Sequence, residues 1–221
     1  MRIVRDSYAG EHGAYLYFGI AEGVEVKEKD EEVENLMKEV EEEFRKKYTL
    51  EKLREDPKVK AFRKFMWNLG IDPTKIRPSS EALARRVLRG PLPRINSLTD
   101  LGNAISLKYL IPIGIYDLDY VNGDVLQLRK AKEGELFTPI GRGDMKLKGN
   151  EIVLSDNEGP MHIFPYRDSR RTMVRLETKR ALVVGAGVPG VEEEEVRKAV
   201  EEILKFLEEK GARVGSVAKS E

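Results

Sequence analysis

"LGIDPTKIRPSSEALARRVLRGPLPRINSLTDLGNAISLKYLIPIGIYDLD", residues 69–119, runs from a helix stop through two helices into a strand. Gly70 closes a helix predicted over residues 59–70, with Phe62, Phe65 and Met66 turned inward. The proline-set turn after it ends on serine, a residue that can cap the next helix. That helix has Leu83, Val87 and Leu88 on its apolar side. "PLPRINS" is a second proline-set linker, leading into a helix capped near Ser97 with Asp100 as its capping-box partner. At Pro112 the helical period stops and alternation begins.

Upstream, residues 14–26, "AYLYFGIAEGVEV", alternate and are rich in Tyr, Ile and Val, which predicts one strand or two. An acid-heavy helix follows, with Val33, Leu36, Met37, Val40 and Phe44 at helical spacing. Downstream, residues 112–154 read as strands and turns, and Asn122-Gly123 and Gly149-Asn150 carry hairpin chemistry. "RTMVRLETKRALVV" predicts a further strand or pair. Val196, Val200, Ile203, Leu204 and Leu207 then mark an amphipathic helix closed by Gly211. Helices at both ends and a β-rich middle give an α+β chain. Residues 1–65 are expected as a strand–helix segment packed on a core of residues 66–221.

Composition narrows the function classes. The chain has 221 residues, with 39 Lys and Arg against 39 Asp and Glu, so no net field argues for a polyanion. Cysteine is absent, which excludes thiolate chemistry and Cys-based metal sites, and His12 and His162 have no metal-ligand spacing. No metal and no cofactor is expected. The start "MRIVRDSYAG" lacks an apolar signal core and no run is long enough for a membrane span, so a cytoplasmic protein with no membrane partner is expected. "VVGAGVPG" satisfies G-x-G-x-x-G, but the glutamates at 192–195 would repel a pyrophosphate at that helix start. It reads as a tight strand-to-helix turn. "GRGD" at 141–144 reads as a plain turn, and Asp117 and Asp119 as acceptors for turn amides.

Charge is unevenly laid out. Lys75, Arg77, Arg85, Arg86, Arg89 and Arg94 face only Asp72 and Glu81, and a second basic run holds Arg167, Arg170, Arg171, Arg175, Lys179 and Arg180. Arginine's planar fork suits phosphate, but a helix face paired to the acidic helices gives the same pattern. Charge alone leaves both open.

Taken in order, "TDLGN", "PIGIYD", "RKAKEGE" and "VRLET" resemble the editing module, the third and fourth domains, of the phenylalanyl-tRNA synthetase beta subunit. The likeness spans residues 67–184 and presents the module standing alone. It implies a β-sandwich of unusual topology flanked by helices. It also implies translation-linked hydrolysis of a mischarged aminoacyl ester, with no dedicated protein nucleophile. By this resemblance Asn103, with Gly102 beside it, lines the amino-acid pocket. Glu177 would accept a bond from a tyrosyl hydroxyl, and Thr178 takes a small pocket position. Two departures stand out. Gly114 replaces the family's pocket histidine, and "GPMHIFPYRDS" replaces a glycine-rich wall, putting Arg167, Asp168 and Ser169 in it.

The functional expectation is a tRNA-binding, editing-like deacylase. It would grip the acceptor end through Arg77, Arg85, Arg86, Arg89, Arg167 and Arg170, and hold an aminoacyl or amino-acid-like ligand. Catalytic residues are not assigned. Two rivals stay open: an RNA-binding module without chemistry, and a small-molecule enzyme or binding protein without RNA.

Overall fold

The computed structural model describes residues 1–221. In chain order its elements are β1 (Arg2–Arg5), α1 (Ser7–Glu11), β2 (Tyr15–Glu22), α2 (Glu31–Lys47), α3 (Leu50–Glu55), α4 (Pro57–Asn68), α5 (Ser79–Val87) and α6 (Ser97–Tyr109). Then come β3 (Ile113–Asp117), β4 (Val125–Lys130), β5 (Leu136–Phe137), β6 (Met145–Lys146), β7 (Ile152–Ser155), β8 (Pro160–Phe164) and β9 (Arg167–Asp168). The chain ends with β10 (Arg180–Gly187), α7 (Glu193–Glu209), β11 (Arg213–Val214) and β12 (Ala218–Lys219).

The fold is α+β. Strands form one sheet in the order β1-β4-β7-β8-β9 and a second in the order β11-β2-β10-β3, with β12 also on β2. Their facing sides share one core: Ile3, Leu126, Leu128, Ile152, Leu154 and Phe164 from the first meet Leu16, Phe18, Leu182 and Val184 from the second. Alternation then sends Ala181 and Val183 of β10 to the opposite face, where they pack under α2, α5, α6 and α7. The short β5–β6 hairpin covers the outer face of the first sheet through Phe137, against Val153 and Ile163. Four helices thus cover the outer face of the second sheet, while α1 and α4 add Ala9, Phe62, Phe65 and Met66 to the core between the sheets.

Residues before 66 are woven into this core. β1 pairs in parallel with β4, and β2 lies along the full length of β10. A segment laid on a finished core was expected; the structure instead uses it inside both sheets, because β2 carries an apolar residue for each face.

Several local expectations need correction. Neither glycine turn makes a hairpin: Gly123, at φ +100°, carries the chain from β3 in one sheet to β4 in the other. Turn chemistry fixes a reversal, but burial chooses the partner strand. Residues 171–179 are turns, not a strand, because the Thr178 hydroxyl accepts from the Arg175 amide at 2.9 Å and folds the stretch on itself. No serine caps α5, whose start follows Pro78 without a side-chain bond. Asn96, not Ser97, caps α6 by accepting from the Thr99 amide at 2.9 Å, and Asp100 accepts from the Ile95 amide at 3.0 Å. The Ser97 hydroxyl is taken by the Lys27 amide.

Candidate functional site

α5 has one buried acid, and that acid organises the basic residues around it. Glu81 is 1% exposed. It accepts from Arg63 Nε at 2.8 Å and from Arg85 Nε at 2.6 Å, and Arg77 Nε lies 3.8 Å from it. Burial pushes its carboxyl up, but the bonds from Arg63 and Arg85 more than offset this and hold it below the usual carboxylate range. Arg77 Nε is buried with no hydrogen-bond partner. One buried carboxylate therefore holds more cationic groups than it neutralises.

The excess charge lines an open groove of about 870 Å³. Lys75, Arg77, Arg85, Arg86, Arg89 and Arg167 line it, with Tyr166, and no acidic side chain does. Arg86 and Arg89 are exposed, and neither they nor Lys75 nor Arg167 makes an ion pair. Burial and the nearby Arg142 pull the Arg167 guanidinium below its ordinary value, as expected for a cation among cations. Five of the six arginines expected to face RNA thus converge; Arg170 is exposed but outside the groove.

Half of the second basic run is spent on structure. Arg171 donates to the buried Asp156 at 2.7 and 2.9 Å, and Arg175 lies 4.1 Å over the Tyr120 ring. Arg180 pairs with Glu22 and Asp119. Arg94, from the first run, pairs with Glu41 of α2 at 2.8 Å.

A smaller cavity, about 160 Å³, lies behind the groove. Thr99 and Gly102 of α6, Ile113 and Ile115 of β3, and Met173 and Val174 form its walls. Ile95 and Ile140 also line it and are 55% and 51% exposed, an apolar lip. Its one charged residue is Asp168. Arg167 and Asp168 are the two residues of β9, and successive strand side chains point to opposite faces. Arg167 enters the groove and Asp168 the cavity, so both spaces share this wall.

Behind Asp168 is a polar cluster that sequence reasoning missed. Tyr116 Oη donates to Asp168 Oδ1 at 2.8 Å, and His162 Nδ1 lies 2.8 Å from the same oxygen. Both rings are buried. Burial and the Asp168 charge raise the Tyr116 phenol well above its ordinary value, so it stays a donor. Gly114 belongs to this arrangement: a Cβ there would stand 2.3 Å from Tyr116 Oη. The space over residue 114 is filled by a tyrosine two residues on.

The remaining expected pocket residues are dispersed. Asn103 is half-buried on α6 beside Gly102, outside the cavity lining. Glu177 sits exposed on a turn, also outside it. Thr178 is buried and donates to Asp117 Oδ2 at 2.6 Å, and the Asp119 amide donates to Asp117 Oδ1 at 3.1 Å. Ser169 is buried and accepts from the Arg171 amide at 3.2 Å. Asn103 and Glu177 therefore do not meet at one cavity; Gly102 and Asp168 do. Alternation in β9 was the available signal for Asp168, whereas nothing local marked Tyr116 or His162.

Comparison with known proteins places these features. The family model described as "B3/4 domain" matches residues 61–212. The phenylalanine–tRNA ligase beta subunit of Staphylococcus saprophyticus is 28% identical over 111 residues, 50% of this chain and 14% of that protein. That of Fusobacterium nucleatum is 30% identical over 113 residues, 51% of this chain and 14% of that protein. The chain therefore spans a small part of these relatives. The crystal structure of an N-terminal fragment of the phenylalanyl-tRNA synthetase beta subunit from Pyrococcus horikoshii superposes with a TM-score of 0.57 at 17% identity, covering 96% of this chain and 50% of that one. At that identity it speaks for the fold. No helix is long and apolar enough to cross a membrane.

Proposed function

The chain belongs to the B3/4 domain family, and from that premise we propose that it binds the acceptor end of an aminoacylated tRNA and hydrolyses a mischarged aminoacyl ester. Phosphates would lie in the groove against Lys75, Arg86, Arg89 and Arg167. The half-buried Tyr166 ring offers an apolar surface there. The aminoacyl group would enter the cavity on the other side of β9. One observation carries this reading: a cationic groove and a ligand-sized apolar cavity are divided by two adjacent residues, Arg167 and Asp168. An RNA end held on one side thus brings an ester to the other.

The cavity lining holds no Ser, Cys, His or Lys. Water would attack the ester carbonyl, the bond to the ribose oxygen would break, and that oxygen would take the proton. Catalysis would then come from holding the ester and water together rather than from a covalent intermediate.

The same lining favours a second reading, an RNA-binding module without chemistry. A panel of tRNAs charged with non-cognate amino acids separates the two. Deacylation above the blank rate, reduced in Arg86→Gln/Arg89→Gln, supports the first. Salt-sensitive retention with blank-level deacylation supports the second. No retention at low salt refutes both and leaves a small-molecule site.

A further inference from the structure

Asp168 has one oxygen occupied and one free. Its Oδ1 takes both Tyr116 Oη and His162 Nδ1, while Oδ2 has no donor from the protein. The side chain is 35% exposed, and it lines the cavity. A carboxylate beside hydrocarbon is unfavourable unless a cation or donor meets it. A hard divalent cation would need about six oxygens, and this cavity supplies one carboxylate and the Thr99 hydroxyl, with no Cys or His in its lining for a softer metal. A single ammonium is the cation that fits. Tyr116 and His162, both buried, fix the carboxylate's orientation before any ligand arrives.

The rest of the cavity selects by what it lacks. Beyond Asp168 stand Ile113, Ile115, Met173 and Val174, with Ile95 and Ile140 exposed at the lip. At about 160 Å³ the cavity is close in size to one that takes a benzene-sized hydrocarbon, and it opens to solvent at the Ile95 and Ile140 lip. Glu177, the residue expected to meet a tyrosyl hydroxyl, is on an exposed turn outside the lining. With Asp168 held by the ammonium, a phenolic hydroxyl placed here would find no carboxylate acceptor, and only the Thr99 hydroxyl among the lining side chains. In the groove between α2, α6 and α7, Glu32, Glu201, Glu202 and Glu209 already pair with Lys210, Arg197, Lys108 and Lys205, and the remaining Glu39 is unpaired but exposed to water, with no buried donor orienting it.

Building on the aminoacyl-site reading above, we infer that the cavity is specific for an α-ammonium group carrying a plain hydrocarbon side chain, with Asp168 as the ammonium anchor, and that it discriminates against tyrosine. Amino-acid amides imitate the ester's uncharged carbonyl and need no RNA. Calorimetry or ligand-observed NMR on the whole chain would compare L-leucinamide, L-phenylalaninamide, L-tyrosinamide and 4-methylpentanamide, the last being leucinamide without its amine. Leucinamide and phenylalaninamide are expected to bind. Tyrosinamide should bind about tenfold more weakly than phenylalaninamide, and 4-methylpentanamide about tenfold more weakly than leucinamide. Asp168→Asn should weaken leucinamide and leave 4-methylpentanamide unchanged. If that variant misfolds, the four amides on the unaltered protein still decide.

Equal binding of tyrosinamide and phenylalaninamide overturns the side-chain claim. Equal binding of 4-methylpentanamide and leucinamide overturns the anchor, and no binding by any amide overturns both. A parallel tRNA filter assay keeps the readings apart. Amides bound without tRNA would sink only the RNA function, and tRNA bound without amides only this inference.

Discussion

Removing Arg86 and Arg89 together tests the groove most directly. Six basic residues line it, but Arg85 and Arg77 share the buried Glu81, which leaves Lys75, Arg86, Arg89 and Arg167 uncompensated. If each of these four meets one phosphate, counterion release gives a slope of log K against log salt of about −2.8 for a single strand to −3.6 for a duplex. Affinity should then fall about 50- to 150-fold between 50 and 200 mM salt. Arg86→Gln/Arg89→Gln removes two of the four, so the slope should halve to about −1.6. Both side chains are exposed, Arg86 on α5 and Arg89 in the turn just after it, and unpaired, so the melting temperature should stay within the spread of ordinary surface changes. Filter binding of an uncharged tRNA at five salt concentrations, on both proteins, gives the two slopes. A variant that keeps the parent's slope would refute the groove as the phosphate site, whatever its absolute affinity.

Arg171→Ala tests the second basic run from the other side. It strips the side-chain partner from the buried Asp156 and should cost about 3 kcal/mol in chemical denaturation, while the tRNA salt slope stays at the parent's value. Glu81→Gln should lower the melting temperature by about 6–20 °C, the size expected when a buried ion pair loses one partner in a chain of this length. Because the folded-state Glu81 carboxyl lies below its ordinary 4.5, its contribution is full above that pH and drains away as pH falls through the folded value; a melting series through the acid range should be flatter in the variant. Gly114→Ala should cost about 1–3 kcal/mol, since its Cβ would stand 2.3 Å from Tyr116 Oη. In a double-mutant cycle Tyr116→Phe should recover part of that loss, and strict additivity would show that the two positions do not touch.

The helices were legible because their periodicity is local. Val33, Met37, Val40 and Phe44 in α2, and Val196 through Leu207 in α7, are buried as their spacing required. Sheet membership was not legible. β1 is four residues long and draws its partner from β4, so "RIVR" carries no pattern of its own. "TMVRLETK" alternates like a strand, yet Thr178 spends its hydroxyl on Asp117 and Arg175 and the stretch curls. At the site, the arginines of residues 75–89 were readable because one helix and its flanks carry them, and Arg167 joins them through β9. Tyr116 and Asp168 touch across 52 residues and between two sheets, which no spacing rule reports. The pocket residues expected from resemblance fared as their local structure dictated: Gly102 packs directly against Ile115 of β3 in the cavity wall, and Glu177 went outward when its segment turned.

The place of β2 bears on how this protein can be dissected. The family-matched region begins at residue 61, so a fragment trimmed to it would discard β2 and leave one flank of β10 open along all eight residues. That flank is the sequence "RALVVGAG", without a charged residue after its first. An uncovered hydrophobic rim of this kind recruits other chains into intermolecular ladders. The homology boundary is therefore a poor place to cut: material lacking the first sixty residues should collect in inclusion bodies rather than yield a minimal domain.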